Sequence, residues 1–366
     1  MRGETLMRLT IRLIAVAVAV ACVLGAVSVA SAATVERVSD VNRYAGSVAI
    51  AAEEFGTNVG GETQWPAGLR HIVLASGEDR AAADPLAAAG LCGLYDAPML
   101  LIGSASTDFY VKDTIRQMVE DATGPVVLHV VGGTVSIPQA RVNDILSWAG
   151  AGLSAERITP NGNRYDLARA IAVRVADAWP SGEPPVVLVA NGADPTKFFD
   201  ALALSPIATD RLYPILLVKQ DDIPDSTIQA LATIDTDANI EIVVGGGPAT
   251  VSDNIVDFFD QVTAVDRWSG PDRFGTAIAI AEGAIAEGWL ARANVGVAAK
   301  LPDALTGGAM CGFNNGPLLL TTSSPLNGST GNWLELNRAQ ISYCSVFGGI
   351  RSVTPTTLSQ IDARLN

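Results

Sequence analysis

The chain has 366 residues, a formal net charge of −14 and 49% hydrophobic residues, against 17% charged and 6% aromatic. That length and apolar content suit two or three packed domains, not a disordered chain. The acidity argues against nucleic acid, whose binding rests on neutralising phosphates, and against strong non-specific adhesion to anionic membranes.

The first 32 residues stand apart. Arg2, Arg8 and Arg12 supply positive charge, Leu13 through Val27 is almost wholly apolar, and Ala30-Ser31-Ala32 has the small-x-small pattern of a cleavage site. The expectation is a secretory signal peptide over 1–32, cut after Ala32; a retained membrane anchor is the competing reading. Ala19 stands where a lipobox before Cys22 prefers Leu, which disfavours a lipoprotein. Cleavage takes three Arg and one Glu with it, leaving 21 Lys+Arg against 37 Asp+Glu, a net of −16.

The rest of the chain repeats itself three times, over 33–156, 157–266 and 267–366, and the repeats consume it. Each copy begins with an arginine-aromatic block: Arg37 through Arg43-Tyr44, Arg157 through Arg164-Tyr165, and Arg267 through Arg273-Phe274. Asn42, Asn163 and Asp272 are good N-caps for the alanine-rich helix that follows. An apolar strand is predicted next, over His71–Ser76, Val186–Ala190 and Val295–Ala299. A helix then carries Asp84-Pro85-Leu86, Asp200-Ala201-Leu202 or Asp303-Ala304-Leu305. Fourteen residues after each aspartate comes a proline that opens a second apolar strand: Pro98, Pro214 and Pro317. After another helix, a third strand ends in glycines, at Gly132-Gly133, Gly245-Gly246 and Gly348-Gly349, and a last helix closes the copy. Continuous apolar strands alternating with amphipathic helices predict an α/β fold: three tandem Rossmann-like units, each a parallel sheet covered on both faces.

The chemistry of these blocks is sparse. The glycine turns invite a phosphate reading, but Gly245-Gly246-Gly247 lacks the third glycine of a dinucleotide fingerprint and no Walker lysine follows. A tight turn needing positive φ is the simpler account, with Ser136, Ser252 or Thr354 near the next helix start. No cofactor is expected. Without C-x-x-C, neither is a structural zinc site. His71 and His129 fall inside strands of the first copy only, and no H-E-x-x-H or G-x-S-x-G appears. Cys92, Cys311 and Cys344 are an odd set. Cys311–Cys344 is the pair to test for a disulfide, and three small buried hydrophobes is the alternative.

Arg43, Arg164 and Arg273 are the candidate binding residues, with Tyr165. A cation in the first helical turn opposes the helix dipole, so its recurrence implies a partner. That partner is a carboxylate such as Asp84, Asp200 or Asp303, or an anionic glycopolymer that a guanidinium fits well.

The four ordered blocks resemble the type 2 cell-wall-binding repeats of Gram-positive surface proteins. The second copy carries the likeness best, in Asn163-Arg164-Tyr165, Asp200-Ala201-Leu202, Pro214-Ile215-Leu216-Leu217 and Gly245–Ser252. The resemblance implies a pseudo-threefold arrangement within one chain and non-covalent, non-catalytic attachment of a secreted protein to anionic secondary wall polymers, polysaccharide or teichoic-acid-like. Copy one departs from the pattern with Asp84-Pro85 and an insertion around Gly56–Gly68; copy three has Phe274 for Tyr. The net of −16 means that a polyanion needs a local basic groove or bridging divalent cations. The alternatives are an extracellular enzyme on wall carbohydrate and a small-ligand-binding or adhesin protein using the sheet edge.

Overall fold

β1 (Thr34–Val38) and α1 (Arg43–Phe55) open a computed structural model that describes residues 32–158, 161–179, 186–234, 240–261 and 263–366. Almost all of the signal-peptide segment, with Cys22, lies outside the described residues, as do Thr159 and Pro160 of the second arginine block. Residues 33–366 form one compact unit.

After the short β2 (Thr57–Val59) and β3 (Glu62–Gln64), copy one continues as β4 (His71–Ser76), α2 (Ala89–Tyr95), β5 (Met99–Ile102), α3 (Phe109–Asp121), β6 (Val126–Val131), α4 (Gln139–Ala149) and β7 (Leu153–Ile158). Copy two is α5 (Arg164–Ala176), β8 (Val186–Asn191), α6 (Phe198–Arg211), β9 (Ile215–Val218), α7 (Asp225–Ile234), β10 (Glu241–Gly245), α8 (Asp253–Asp260) and β11 (Ala264–Trp268). Copy three is α9 (Arg273–Ala286), β12 (Asn294–Ala298), α10 (Leu301–Phe313), β13 (Leu318–Leu320), α11 (Gly328–Asn337), β14 (Tyr343–Phe347) and α12 (Pro355–Leu365).

The three main sheets are four-stranded, parallel and built alike: β5-β4-β6-β7, β9-β8-β10-β11 and β13-β12-β14-β1. The sheets cross the copy limits read from the sequence. The fourth strand of each lies just before the next copy's first helix. For the third sheet that strand is β1, from the start of the first copy, with Val38 beside Phe347. The prolines fit because β5, β9 and β13 are edge strands, where a missing N–H costs no ladder bond. Each proline carbonyl accepts from the neighbouring strand, Pro98 from Val73, Pro214 from Leu188 and Pro317 from Gly296, all at 2.9 Å. The insertion in copy one is the β2–β3 hairpin, turned by Gly60 and Gly61 at φ 66° and 93°.

Alternation along the strands divides the core. Val73 and Ala75 of β4 face a common core shared by all three copies, whereas Ile72 and Leu74 face an outer core of copy one. Copies two and three have their own outer cores around Val187 and Val189, and around Val295 and Val297. In the common core α2, α6 and α10 meet as a pseudo-threefold set, with Thr209 Oγ1 donating to the Ala89 carbonyl at 3.1 Å. Small residues permit the approach: a Cβ on Gly312 would stand 2.6 Å from the Pro206 carbonyl oxygen.

Of the two readings of the cysteines, the structure has three buried thiols and not the Cys311–Cys344 disulfide. Cys92, Cys311 and Cys344 are free and buried. Cys311 sits on α10 in the common core, while Cys344 points to the outer face of β14 with Val295 beside it, so the sheet separates the two thiols.

Candidate cell-wall-binding site

The glycine turns are the corners at which copies meet. Gly132, Gly246 and Gly348 have φ of 122°, 114° and 107°, and their partners Gly133, Gly245 and Gly349 do not share that conformation. Beneath each turn lies the aspartate of the second block. A Cβ at Gly132 would stand 3.0 Å from Asp84 Oδ2, one at Gly246 2.7 Å from Asp200 Oδ2, and one at Gly348 would fall on the Asp303 carboxylate. Ser136 donates to Asp84, and Thr250 and Ser352 flank Asp200 and Asp303. Burial pushes all three carboxyls above the usual range, Asp200 to about 7.

An arginine from the fourth strand ties each turn down. Arg157 donates to the Gly132 carbonyl at 2.8 Å, Arg267 to that of Gly246 at 2.7 Å, and Arg37 to that of Gly348. These three arginines escaped the sequence reading as functional groups. Their signal was present, since each opens its quoted block, but a strand ending there was not recognised.

The candidate arginines open the next helix. Asn42, Asn163 and Asp272 cap α1, α5 and α9 as expected, each accepting from two backbone amides. Arg43 donates to the Gly77 carbonyl at 2.7 Å and to Asp79 at 2.6 Å; Arg164 donates to the Gly192 carbonyl at 2.7 Å. Arg273 instead lies over the rings of Phe199 and Phe274, 4.6 and 4.8 Å from their centroids. Two aspartates of the second block interact across copy junctions: Arg164 lowers the pKa of Asp84 of copy one, and Arg43 that of Asp303 of copy three, against the larger effect of burial, whereas the charged neighbour of Asp200 is Lys197 of its own copy. The hydrogen-bonded carboxylate partner of Arg43 is thus Asp79, not Asp84.

The structure brings Arg43 and Arg273 to one groove of about 1200 Å³, lined also by Lys300, Arg351, Asp40, Asp79 and Asp303. Pro195 and Phe199 reach it from copy two, so all three copies contribute. Arg164 lies apart, in a groove of about 410 Å³ between copies one and two with Arg80, Asp84 and Ser136. Tyr165 packs partly buried against the common core. Among the described residues no group of three or more His, Cys, Asp and Glu side chains is arranged to hold a metal ion.

The model of the family described as cell wall binding domain 2 (CWB2) matches residues 37–142, 161–256 and 267–358. The chain belongs to the cell wall binding domain 2 family. The matched stretches are the three copies that meet at these corners, so the protein associates with the cell wall or cell surface through them. Among curated relatives, the N-acetylmuramoyl-L-alanine amidase LytC of Bacillus subtilis (strain 168) is 27% identical over 279 residues, 76% of this chain and 51% of the relative. The amidase enhancer of the same organism is 27% identical over 191 residues, 52% of this chain and 23% of the relative. Of solved structures, Cwp6 from Clostridium difficile superposes with a TM-score of 0.74 at 21% identity, over 92% of this chain and 48% of that one. Cwp8 from Clostridium difficile gives 0.73 at 20% identity, over 91% and 52%. These two likenesses concern the fold. The wall-binding chain spans about half the length of LytC and of both structures.

Proposed function

We propose that this secreted protein attaches non-covalently and without catalysis to an anionic secondary polymer of the wall, held in the junction grooves. The convergence of Arg43 and Arg273, from different copies, on one large groove carries the reading. With Lys300 and Arg351 the groove holds four cations against three carboxylates, in a chain whose charge is −14. Of those carboxylates, Asp303 is tucked beneath the Gly348 turn, where burial raises its pKa. A guanidinium in the first turn of a helix is well placed to donate to phosphate or carboxylate. The histidines support a binding role over catalysis: His129 is buried and hydrogen-bonded to His71, stacked on Tyr95 away from the groove lining.

The test is co-sedimentation with purified sacculi, intact and stripped of secondary polymer by acid. Binding to intact walls that falls on stripping, and falls again in Arg43→Gln and Arg273→Gln, supports the reading. Equal binding to both preparations refutes it. A chelator arm separates direct arginine contact, which survives, from bridging by divalent cations, which does not.

A further inference from the structure

Among the described residues, one surface feature is present in a single copy. Phe109, Tyr110 and Trp148 are 57%, 51% and 42% exposed, and they cluster. The Phe109 ring centroid is 6.2 Å from those of both Tyr110 and Trp148, close to edge-on in each case. Lys112 Nζ lies 4.5 Å from the Trp148 ring centroid and 3.4 Å from Asp144. Aromatic residues make up only 6% of the chain, so three exposed together are not a by-product of composition.

The other copies serve as an internal control. The equivalent helices begin Asp225-Ser226 in α7 and Gly328-Ser329 in α11. The fold therefore does not require aromatic side chains at this position. Nor is the cluster remote from the large groove. Asp108 caps α3, accepting from the Tyr110 amide at 2.9 Å, and it also accepts from the Asn42 side chain at 3.2 Å. Asn42 lines the groove. The aromatic surface thus continues from the groove's lip.

Its chemistry narrows the occupant. Three half-exposed rings offer roughly 300 Å², well short of the about 800 Å² per partner of a stable protein interface. The rings are interleaved with Lys112, Asp108 and Asp144, which suit hydroxyl groups better than an apolar protein face. The C–H bonds on one face of a pyranose ring carry slight positive charge and match the negative face of an aromatic ring. A polyol-phosphate chain has no such face. We propose that Phe109, Tyr110 and Trp148 stack against sugar rings of the secondary wall polymer as it leaves the groove, so that this polymer carries sugar rings and is not a bare polyol phosphate. The inference rests on the groove-binding reading above.

The test compares the full chain with a variant carrying Phe109→Ala, Tyr110→Ser and Trp148→Ala. Sacculi, intact and acid-stripped, are the probe, and far-UV dichroism and thermal unfolding monitor the fold. Copies two and three already fold with serine after the first residue of this helix. The expected result is binding to intact sacculi weakened about tenfold, with no difference on stripped sacculi. Wild-type binding that ignores stripping overturns the groove reading and the platform with it. Wild-type binding that depends on the polymer, matched by the variant, overturns the platform alone. A difference that persists on stripped sacculi assigns the rings to peptidoglycan glycan and also overturns the proposal. So does a wild-type dimer, seen by light scattering, that the variant abolishes without loss of wall binding.

Discussion

The guanidinium of Arg37 donates to the carbonyl of Gly348, a residue 311 positions further along the chain. The same bond joins Arg157 to Gly132 and Arg267 to Gly246 over 25 and 21 positions. One local device therefore performs two tasks. Twice it fixes a turn to the strand that follows, and once it fastens the start of the first copy to the third.

Arg37→Ala should accordingly destabilise the protein by about 2 kcal/mol, the worth of a part-buried hydrogen bond from a charged donor. Arg267→Ala should cost at least as much, since Arg267 also reaches the Val251 carbonyl at 2.8 Å. Urea unfolding followed by dichroism measures both. A midpoint unchanged in Arg37→Ala would remove the bond from the account of how the copies close.

The glycine turns give a paired contrast. Gly348→Ala puts a side chain at φ 107° and onto the Asp303 carboxylate, and should cost roughly 1–3 kcal/mol. Gly349→Ala meets only the Asp40 carbonyl at 3.7 Å, without positive φ, and should change stability little. Similar losses in both variants would contradict the assignment.

Much of this was legible beforehand. Period, the succession of strands and helices within a copy and the N-caps follow from residue type and spacing. The fourth strand was not, because Arg37-Val38, Arg157-Ile158 and Arg267-Trp268 read as the approach to a helix, and a half-exposed edge strand has a weak pattern. β1 is half exposed along most of its length, with only Val38 buried. The site was legible in part: the arginines stand out by recurrence, but only the folding of distant copies together puts Arg43 and Arg273 in one groove. The two readings of the cysteines stayed open in the sequence because sequence separation says nothing of which face of a sheet a cysteine occupies.

Two titrations of opposite sign should shape the pH dependence of stability. Asp200, raised to about 7 chiefly by burial and eased by Thr250 and Lys197, keeps its proton in the native state after the unfolded chain has released it. Its contribution is therefore full at low pH and lost as pH rises from about 4 to about 7. Asp200→Asn should flatten that loss. His129, lowered to about 4 by burial and by His71, against the opposing pull of Glu156, does the reverse. Its contribution is full above about 6.5 and lost as pH falls to about 4. His129→Val, matching Val243 of copy two, should protect against mild acid. Unfolding free energies at pH 4 to 8 for the three proteins decide both points.

The thiols give a simpler measurement. Burial raises the pKa of Cys92, Cys311 and Cys344, Cys344 to about 12. None should react promptly with a thiol reagent in the native protein, and all three should react once it is denatured. Prompt reaction of any one would place it outside the core.

Strand exchange around the three sheets has an evolutionary consequence. A solenoid can gain or lose a unit because its ends are open. Here β1 completes the last sheet, and the side chain of Asn366 donates to the Ala33 carbonyl at 3.2 Å, so no copy is terminal. Losing or duplicating a copy would break the ring, and the number of copies is held at three by geometry. For the same reason the chain can be rejoined at 33 and 366 and opened in the turn between α4 and β7, a circular permutant that keeps every corner intact.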